Sequence, residues 1–404
     1  MLRPFLIMAM VSIAVYSCSG CSKPQENPDG PQTENPAVSW KEYGESGFKV
    51  LVSESYEWDA RKDMAFKYLS KSLEYFSYML PEGILAQLQA IPVVLLSEQK
   101  EDVPDLGTAV VVEDIASVYE NNRADLGTVI LGDLAGLWYE DHGQGNGVGP
   151  EQFSAWTMAY WGIAAEEPAD YHQLMEQEPE GFGLMEEIWG SRSLKDYARV
   201  NMEGFRVMYP LQYAGSEELP EALDALGEDL KFIVNTVPAP FVDVFRRKIL
   251  WLDNTDPDGA ACYHDGMDWL IQNGYIKEKH RCVEINNMRN YVQWSSSNQP
   301  LMVLHEFAHL FHYSSYRDSQ LILSAYENAL NAGLYESVDY YDGTSVSKRK
   351  AYAMNNEMEY FAEMSEAWFG TNDYYPFDRD DLEVHDPQAW KLMQEVWNID
   401  NFTE

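Results

Sequence analysis

The sequence predicts an α+β fold built as a tandem duplication, with two lobes that each contain a small mixed sheet and packed helices. Two internal repeats support this prediction. Residues 47–52 (Gly-Phe-Lys-Val-Leu-Val) align with residues 204–209 (Gly-Phe-Arg-Val-Met-Tyr), an offset of 157 residues. Residues 151–162 align with residues 359–370, an offset of 208 residues. We therefore expect the second half of the chain to repeat the first.

Each copy has the pattern of a strand, an amphipathic helix, a proline stop and a second strand. In the first copy, Ala65, Leu69 and Leu73 recur at four-residue steps, which is the spacing of one helix face, and Pro81 follows them. The offset of 157 carries this pattern without a gap onto a second set of residues. The members of that set are Ala222, Leu226, Leu230 and Pro238.

The N-terminus predicts export. Residues 1–20 combine Arg3 with a short apolar run and have the form of a signal peptide. Cys18 and Cys21 each follow a small residue, which resembles a bacterial lipoprotein cleavage site, and either could be the acylated cysteine. Residues 21–38 are rich in Pro, Gln, Asn and Glu and predict a flexible linker. We expect a lipid-anchored protein of the bacterial cell envelope, on the outer membrane, the surface or the periplasmic face.

The formal net charge of −38 excludes phosphate-backbone binding as the main activity, because proteins that bind nucleic acid carry a basic face. We expect no nucleic-acid partner, membrane attachment through the N-terminal lipid only, and a monomer.

The most informative motif is His305-Glu306-Phe307-Ala308-His309. On a helix, a four-residue step turns about 400°, so both imidazoles lie on one face and can bind one metal ion. Glu306 lies about 100° away from His305 around the helix and is placed to take a proton from a metal-polarised water. His312, seven residues after His305, is predicted to be structural or to lie outside the ligand shell.

A catalytic zinc needs three protein ligands and one open position. Downstream, residues 352–370 predict a second helix with Glu359, Glu363 and Glu366 on one stripe. Spacing alone does not select the third ligand among these three glutamates.

The motif and the run Tyr352-x6-Glu359-Tyr-Phe-Ala-Glu363 resemble the glutamate-ligand (gluzincin-like) branch of the zincin metallopeptidases, as in the catalytic domain of anthrax lethal factor. The resemblance implies one Zn²⁺ per chain, bound by His305, His309 and Glu359. It also implies Glu306 as the general base, Tyr352 at the oxyanion and Glu363 as an acid behind the ligands.

A longer run, residues 261–397, is similar to a broader family of secreted zinc metallopeptidases. Most members of that family have Pro after Tyr-His and Asp after the histidine that matches His312. This chain has Asp265 and Tyr313 at those positions, so the resemblance implies the ligands but not the detailed geometry of the substrate site.

The two repeat offsets differ by 51 residues (208 against 157), so the first copy is shorter by that length. We expect the missing segment to remove the helix that carries the histidines. The predicted domains are a degenerate lobe without a metal site over residues 39–190 and a catalytic lobe over residues 191–404. Glu151 in the first copy aligns with Glu359, and a carboxylate in the first turn of a helix is favourable without any metal.

Cys262 and Cys282 are the two cysteines outside the N-terminal region. In an oxidising compartment they could form a disulfide or remain free thiols. A thiolate metal site would need more ligands than these two cysteines supply.

The predicted activity is hydrolysis of a polypeptide or glycoprotein substrate. Residues 283–287 are expected to form an edge strand beside the zinc, where an extended peptide can add as a further strand. The alternative is a catalytically silent zincin-fold lipoprotein that binds glycan or protein, because Trp, Tyr and Phe make up 13% of the chain and exposed aromatic rings can stack on sugars.

Overall fold

A computed structural model describes residues 15–16, 40–53, 56–96, 108–116, 126–143, 147–162, 170–316 and 319–398. The fold class is α+β, as predicted, with small mixed sheets and packed helices. The chain forms two compact units, Met1–Ser191 and Arg192–Glu404. The predicted signal peptide and linker, with Cys18 and Cys21, lie outside the described residues except for Val15–Tyr16. None of the described helices is long and apolar enough to cross a bilayer.

The first unit has one sheet, with strand order β1-β5-β4-β3-β2, and six helices among the residues described. The strands are β1 (Val15–Tyr16), β2 (Trp40–Glu45), β3 (Phe48–Ser53), β4 (Val93–Leu96) and β5 (Ala109–Glu113). The helices are α1 (Ala60–Met79), α2 (Glu82–Gln89), α3 (Leu126–His142), α4 (Pro150–Trp161), α5 (Tyr171–Gln177) and α6 (Pro179–Trp189).

The second unit begins with the strands β6 (Tyr197–Met202) and β7 (Phe205–Pro210), followed by α7 (Glu218–Thr236), α8 (Ala239–Arg246), β8 (Ile249–Leu252), β9 (Cys262–Tyr263), α9 (Met267–Gln272) and β10 (Val283–Ile285). It continues with α10 (Met288–Ser295), α11 (Met302–Phe311), α12 (Gln320–Ala332), β11 (Val338–Tyr341), β12 (Val346–Arg349), α13 (Glu357–Phe369), α14 (Arg379–His385) and α15 (Pro387–Val396). Its main sheet has the order β6-β7-β8-β10-β9, and β11 pairs with β12.

The predicted strands and amphipathic helix are present in both units, but Pro81 and Pro238 each begin a second helix that the sequence pattern did not predict. In each, an antiparallel hairpin (β2–β3 or β6–β7) is followed by two helices and by a strand that pairs in parallel with the second hairpin strand. The apolar positions that predicted the helices are buried, since Leu69, Leu73, Leu226 and Leu230 are all 0% exposed. Common descent of the two units by duplication remains a prediction.

The expectation for the helix that precedes α4 is wrong. We expected a missing segment to remove any counterpart of the helix with the histidines, but α3 is present and packs along α4. Gly162, at the end of α4, lies against Thr128 of α3, just as Gly370 at the end of α13 lies against Leu301 next to α11. The first unit therefore has a helix packed against α4, although that helix lacks the His-Glu-x-x-His motif.

The position predicted for the edge strand is also wrong. β10 lies inside the sheet, because it pairs in parallel with β8 and antiparallel with β9. β9 is the edge strand instead. The sequence did not indicate β9 because two residues are too short for an alternating pattern to be visible.

A buried ion-pair network includes Glu284 of β10. Lys279 is 2% exposed, and its ammonium lies 2.8 Å from Asp253 Oδ2 and 2.6 Å from Glu284 Oε1. Glu284 is 0% exposed and pairs in register with Cys262 of β9. Removing one partner of such a network leaves an uncompensated buried charge, which is strongly destabilising.

We expect Lys279→Met to lower the free energy of unfolding by about 3–5 kcal/mol, because Asp253 and Glu284 would remain buried without their cation. Urea unfolding followed by circular dichroism measures the change. Lys231→Met is the matched control, since Lys231 on α7 has a side chain that is 58% exposed. Equal stability of the two variants would contradict the assignment of the network as a buried charge cluster.

Candidate metal centre

Two helices of the second unit bring the predicted ligands together. Helix α11 carries His305 and His309. All of its residues except His305 are buried, which makes it a central core helix. Phe307 of α11 stacks on Phe245 with ring centroids 4.7 Å apart. This packing fixes the rotation of α11 about its axis and directs both imidazoles towards α13.

Glu359 reaches the histidines from the first turn of α13. This helix begins at a defined position, because the N-cap Asn356 accepts hydrogen bonds from the backbone N–H groups of Met358 and Glu359. Capping therefore positions the residue that the resemblance selected as the third ligand.

The three side chains converge on one point. The Nε2 atoms of His305 and His309 lie 3.1 Å apart, and Glu359 Oε2 lies 3.1 Å from the first and 3.2 Å from the second. His305 Nδ1 lies 2.5 Å from Glu366 Oε1. With the proton on Nδ1, the imidazole donates to Glu366 and directs the lone pair of Nε2 at the convergence point. The residues therefore fit a divalent metal ion and could hold one.

The electrostatic state of Glu359 agrees with this arrangement. Burial opposes its ionisation, but the hydrogen bonds to His305 and His309 outweigh burial and hold the pKa of Glu359 well below its usual range. The carboxylate is thus ionised over the whole physiological pH range, as a metal ligand must be.

The acid that orients His305 is Glu366, whereas the resemblance implied Glu363. Glu366 contacts His305 directly, while Glu363 accepts a hydrogen bond from Asn372 at a distance of 2.9 Å. Both acids are buried. Burial, and then the neighbouring Glu366, raise the pKa of Glu363 well above its usual range. The sequence could not separate the two, because both lie on the same helix stripe.

Tyr352 lies at the mouth of the site. It begins the short 3-10 turn Tyr352–Met354 just before α13, and its side chain is 45% exposed. Its hydroxyl donates to Glu359 Oε1 at a distance of 3.4 Å. Partial burial, followed by the charge of Glu359, raises the pKa of Tyr352 to about 12. The phenol is therefore protonated at neutral pH and can donate a hydrogen bond.

A pocket of about 230 Å³ opens onto the site and contains the predicted base, Glu306. The walls are formed by α11, β9 and the start of α13. The lining residues are Ala261, Cys262, Tyr263, His305, Glu306, His309, Tyr313, Tyr352, Met358 and Glu359. No site role was predicted for four of these residues, because contacts between distant segments bring them to the pocket: Ala261, Tyr263, Tyr313 and Met358.

His312 is buried beside Phe361 rather than at the convergence point, with ring centroids 5.4 Å apart. Cys262 and Cys282 are free thiols, which was one of the two expected states. The Cys282 thiol donates to the backbone carbonyls of Glu278 and His280, each 3.5 Å away. Burial, and then the nearby Glu306, raise the pKa of the Cys262 thiol.

The first unit has a comparable pair of helices with different residues at the key positions. On α3, Gly132 lies against Met158 of α4. In the second unit, by comparison, His305 of α11 contacts Glu366 of α13. One turn later Gly136 lies against α4. Among the described residues of this unit, no group of His, Cys, Asp and Glu side chains could hold a metal ion.

Comparisons with protein-family models, with curated proteins and with solved structures find no match to this chain.

We expect Glu359→Ala to lower zinc affinity far more than Glu366→Ala, and Glu363→Ala to have the smallest effect. Glu359 supplies a ligand atom, Glu366 orients a ligand, and loss of an orienting partner typically costs about 10- to 100-fold. Competition with a chromogenic chelator measures the three affinities. A larger loss for Glu363→Ala than for Glu366→Ala would show that the contact with His305 does not tune the site.

Proposed function

We propose that this chain is a zinc-dependent metallopeptidase whose active site is the pocket around His305, His309 and Glu359. The observation that carries the proposal is the convergence of two imidazole nitrogens and one ionised carboxylate beside Glu306. Two imidazoles and one carboxylate are a ligand set typical of catalytic zinc. Export, with a lipid anchor on Cys18 or Cys21, belongs to the same proposal and rests on the N-terminal sequence.

When bound, zinc would act as a Lewis acid that polarises the scissile carbonyl and lowers the pKa of water. The chain supplies the remaining parts of the mechanism. Glu306 accepts the proton of the attacking water and passes it to the leaving nitrogen. Tyr352, which is protonated at neutral pH, donates a hydrogen bond to the developing oxyanion. Glu366 holds His305 in the orientation that directs Nε2 at the metal.

The edge strand β9 supports a peptide as the substrate. The backbone groups of Ala260 and His264 bond to the two residues that flank β10: Asn286 N–H donates to Ala260 C=O, and His264 N–H donates to Cys282 C=O. Backbone groups alternate in direction along a strand, so those of Ala261 and Tyr263 face away from β10. Both residues line the pocket. An extended peptide could bond to this edge and place its scissile carbonyl near the metal.

Cleavage of an unbiased peptide library by the zinc-loaded full chain tests the activity. We expect cleavage that stops when a chelator removes the metal and returns when zinc is added. A zinc-loaded chain that cleaves no peptide in the library would overturn the proposal and favour the catalytically silent binding protein.

We expect Glu306→Gln to keep its zinc and lose hydrolysis, because an amide cannot accept the proton of the water. The loss should be about 10²- to 10⁴-fold in kcat. Metal analysis and peptide cleavage are measured on the same preparation. Glu327→Gln, an exposed change on α12, is the matched control and should retain full activity. Near-wild-type cleavage by Glu306→Gln would mean that another group is the base.

We expect Tyr352→Phe to lower kcat by about 10²- to 10³-fold with little change in KM, because one oxyanion donor is lost while the zinc ligands remain. Steady-state kinetics on the best library peptide measures both parameters. Tyr341→Phe removes a hydroxyl that bonds to the carbonyl of Gly343, outside the pocket, and serves as the control. An unchanged kcat would mean that Tyr352 contacts Glu359 but does not stabilise the oxyanion.

A further inference from the structure

A second set of potential metal ligands lies on the strands that border the pocket. Cys262 and Glu284 are paired in register across β9 and β10, and His264 follows β9. The potential ligand atoms of these three residues all lie within 4.8 Å of one another. Antiparallel pairing explains the cluster, because residues directly opposite and two residues apart place their side chains on the same face of a sheet.

The contacts within the cluster direct three different ligand atoms at one region. Cys262 Sγ lies 3.6 Å from His264 Nε2, and the same nitrogen contacts Glu284 Oε2. His264 is 5% exposed and Glu284 is 0% exposed. The cluster is therefore shielded from bulk water, and its one partly accessible member, Cys262, lines the pocket.

The residues around the cluster hold its ligand atoms in place. Glu284 Oε1 accepts from Lys279 at 2.6 Å and from Thr255 at 2.8 Å, so Oε2 is left to face His264 and Cys262. The Asn286 amide lies 3.5 Å from Cys262 Sγ, which places a donor next to the sulfur. Metal sites commonly have such outer partners, which orient the ligands and stabilise their charge.

We propose that Cys262, His264 and Glu284 form a second metal site, separate from the site at His305, for a divalent cation that accepts sulfur ligands, such as Zn²⁺ or Co²⁺. Thiolate and imidazole together favour metals of this class over Mg²⁺ or Ca²⁺, which prefer oxygen ligands. Three protein ligands leave one position open, and Cys262 places the site beside the pocket. This inference does not depend on the proposed peptidase activity.

The local charges are compatible with a bound ion. A Cys262 thiolate, Glu284 and Asp253 would carry three negative charges, and Lys279 and a divalent ion would carry three positive charges. The cluster would then be neutral, which buried charge requires. On binding, the thiol releases its proton to solvent as its sulfur forms the bond to the metal, and no electron transfer takes place. The sequence predicted one zinc per chain, and this site would make two at saturation.

Cobalt is the best probe, because Co²⁺ bound to a thiolate gives a sulfur-to-cobalt charge-transfer absorption in the near ultraviolet. The ligands His305, His309 and Glu359 contain no sulfur, so the first site cannot produce this absorption. The metal-free full chain is titrated with Co²⁺, and zinc content is measured separately at saturation. We expect the absorption in the wild type and two zinc ions per chain.

Four variants assign the signal. Cys262→Ser should abolish the absorption and reduce zinc to one ion per chain, and Cys262→Ala should behave in the same way if serine perturbs folding. Cys282→Ser is the matched control, because it removes a neighbouring buried thiol that lies outside the cluster. His309→Ala removes the first site and should keep the absorption. Circular dichroism confirms that each variant is folded.

No sulfur-to-cobalt absorption in the folded wild type would overturn the proposal and leave the cluster as a hydrogen-bond network. An absorption that survives in both Cys262 variants, or that is lost in Cys282→Ser alone, would also overturn it. The peptidase proposal and the proposal of a second metal site can be rejected independently. An absorption in a chain that never cleaves peptide would reject the peptidase and keep this site, whereas cleavage without the absorption would do the reverse.

Discussion

The packing of α11 against α13 is the constraint on which the candidate metal centre depends. Helix α11 is buried on nearly all sides, so its two histidines have no freedom to turn away from α13. The first turn of α13 supplies Glu359, and Glu366 two turns later contacts the opposite side of the His305 ring. A shift between these helices would separate both pairs at once. The ligand and the acid that orients the histidine are therefore set by one interface.

This arrangement concentrates negative charge in the protein core. Glu306, Glu363 and Glu366 are all buried within the second unit. Burying carboxylates is costly unless they bond to cations or keep their protons. The hydrogen bonds to the histidines lower the pKa of Glu359, whereas burial raises the pKa of Glu363. A divalent ion at the convergence point would offset the charge that remains, so metal binding would contribute to folding stability as well as to chemistry.

The two units have a similar order of strands and helices but differ in whether they contain a candidate metal site. Both have a hairpin, two helices and parallel strands, followed by a pair of packed helices. In the first unit Gly132 and Gly136 face α4 and supply no ligand atoms. The second unit thus has a candidate metal centre on its helix pair, whereas the helix pair of the first unit has no metal-binding group among its described residues. Fold alone does not specify function here.

The sequence by itself determined the α+β class, the repeated strand-helix-strand pattern and the pairing of His305 with His309, because these follow from local periodicity. It also placed Glu359 near them, although only through a resemblance. Tertiary structure decided what depends on contacts between distant segments. It made β9 the edge strand instead of β10, gave the contact with His305 to Glu366 instead of Glu363, and kept a helix before α4. It also brought Cys262, His264 and Glu284 together. Strand register and helix packing create such contacts, and neither is encoded in the spacing of a single segment.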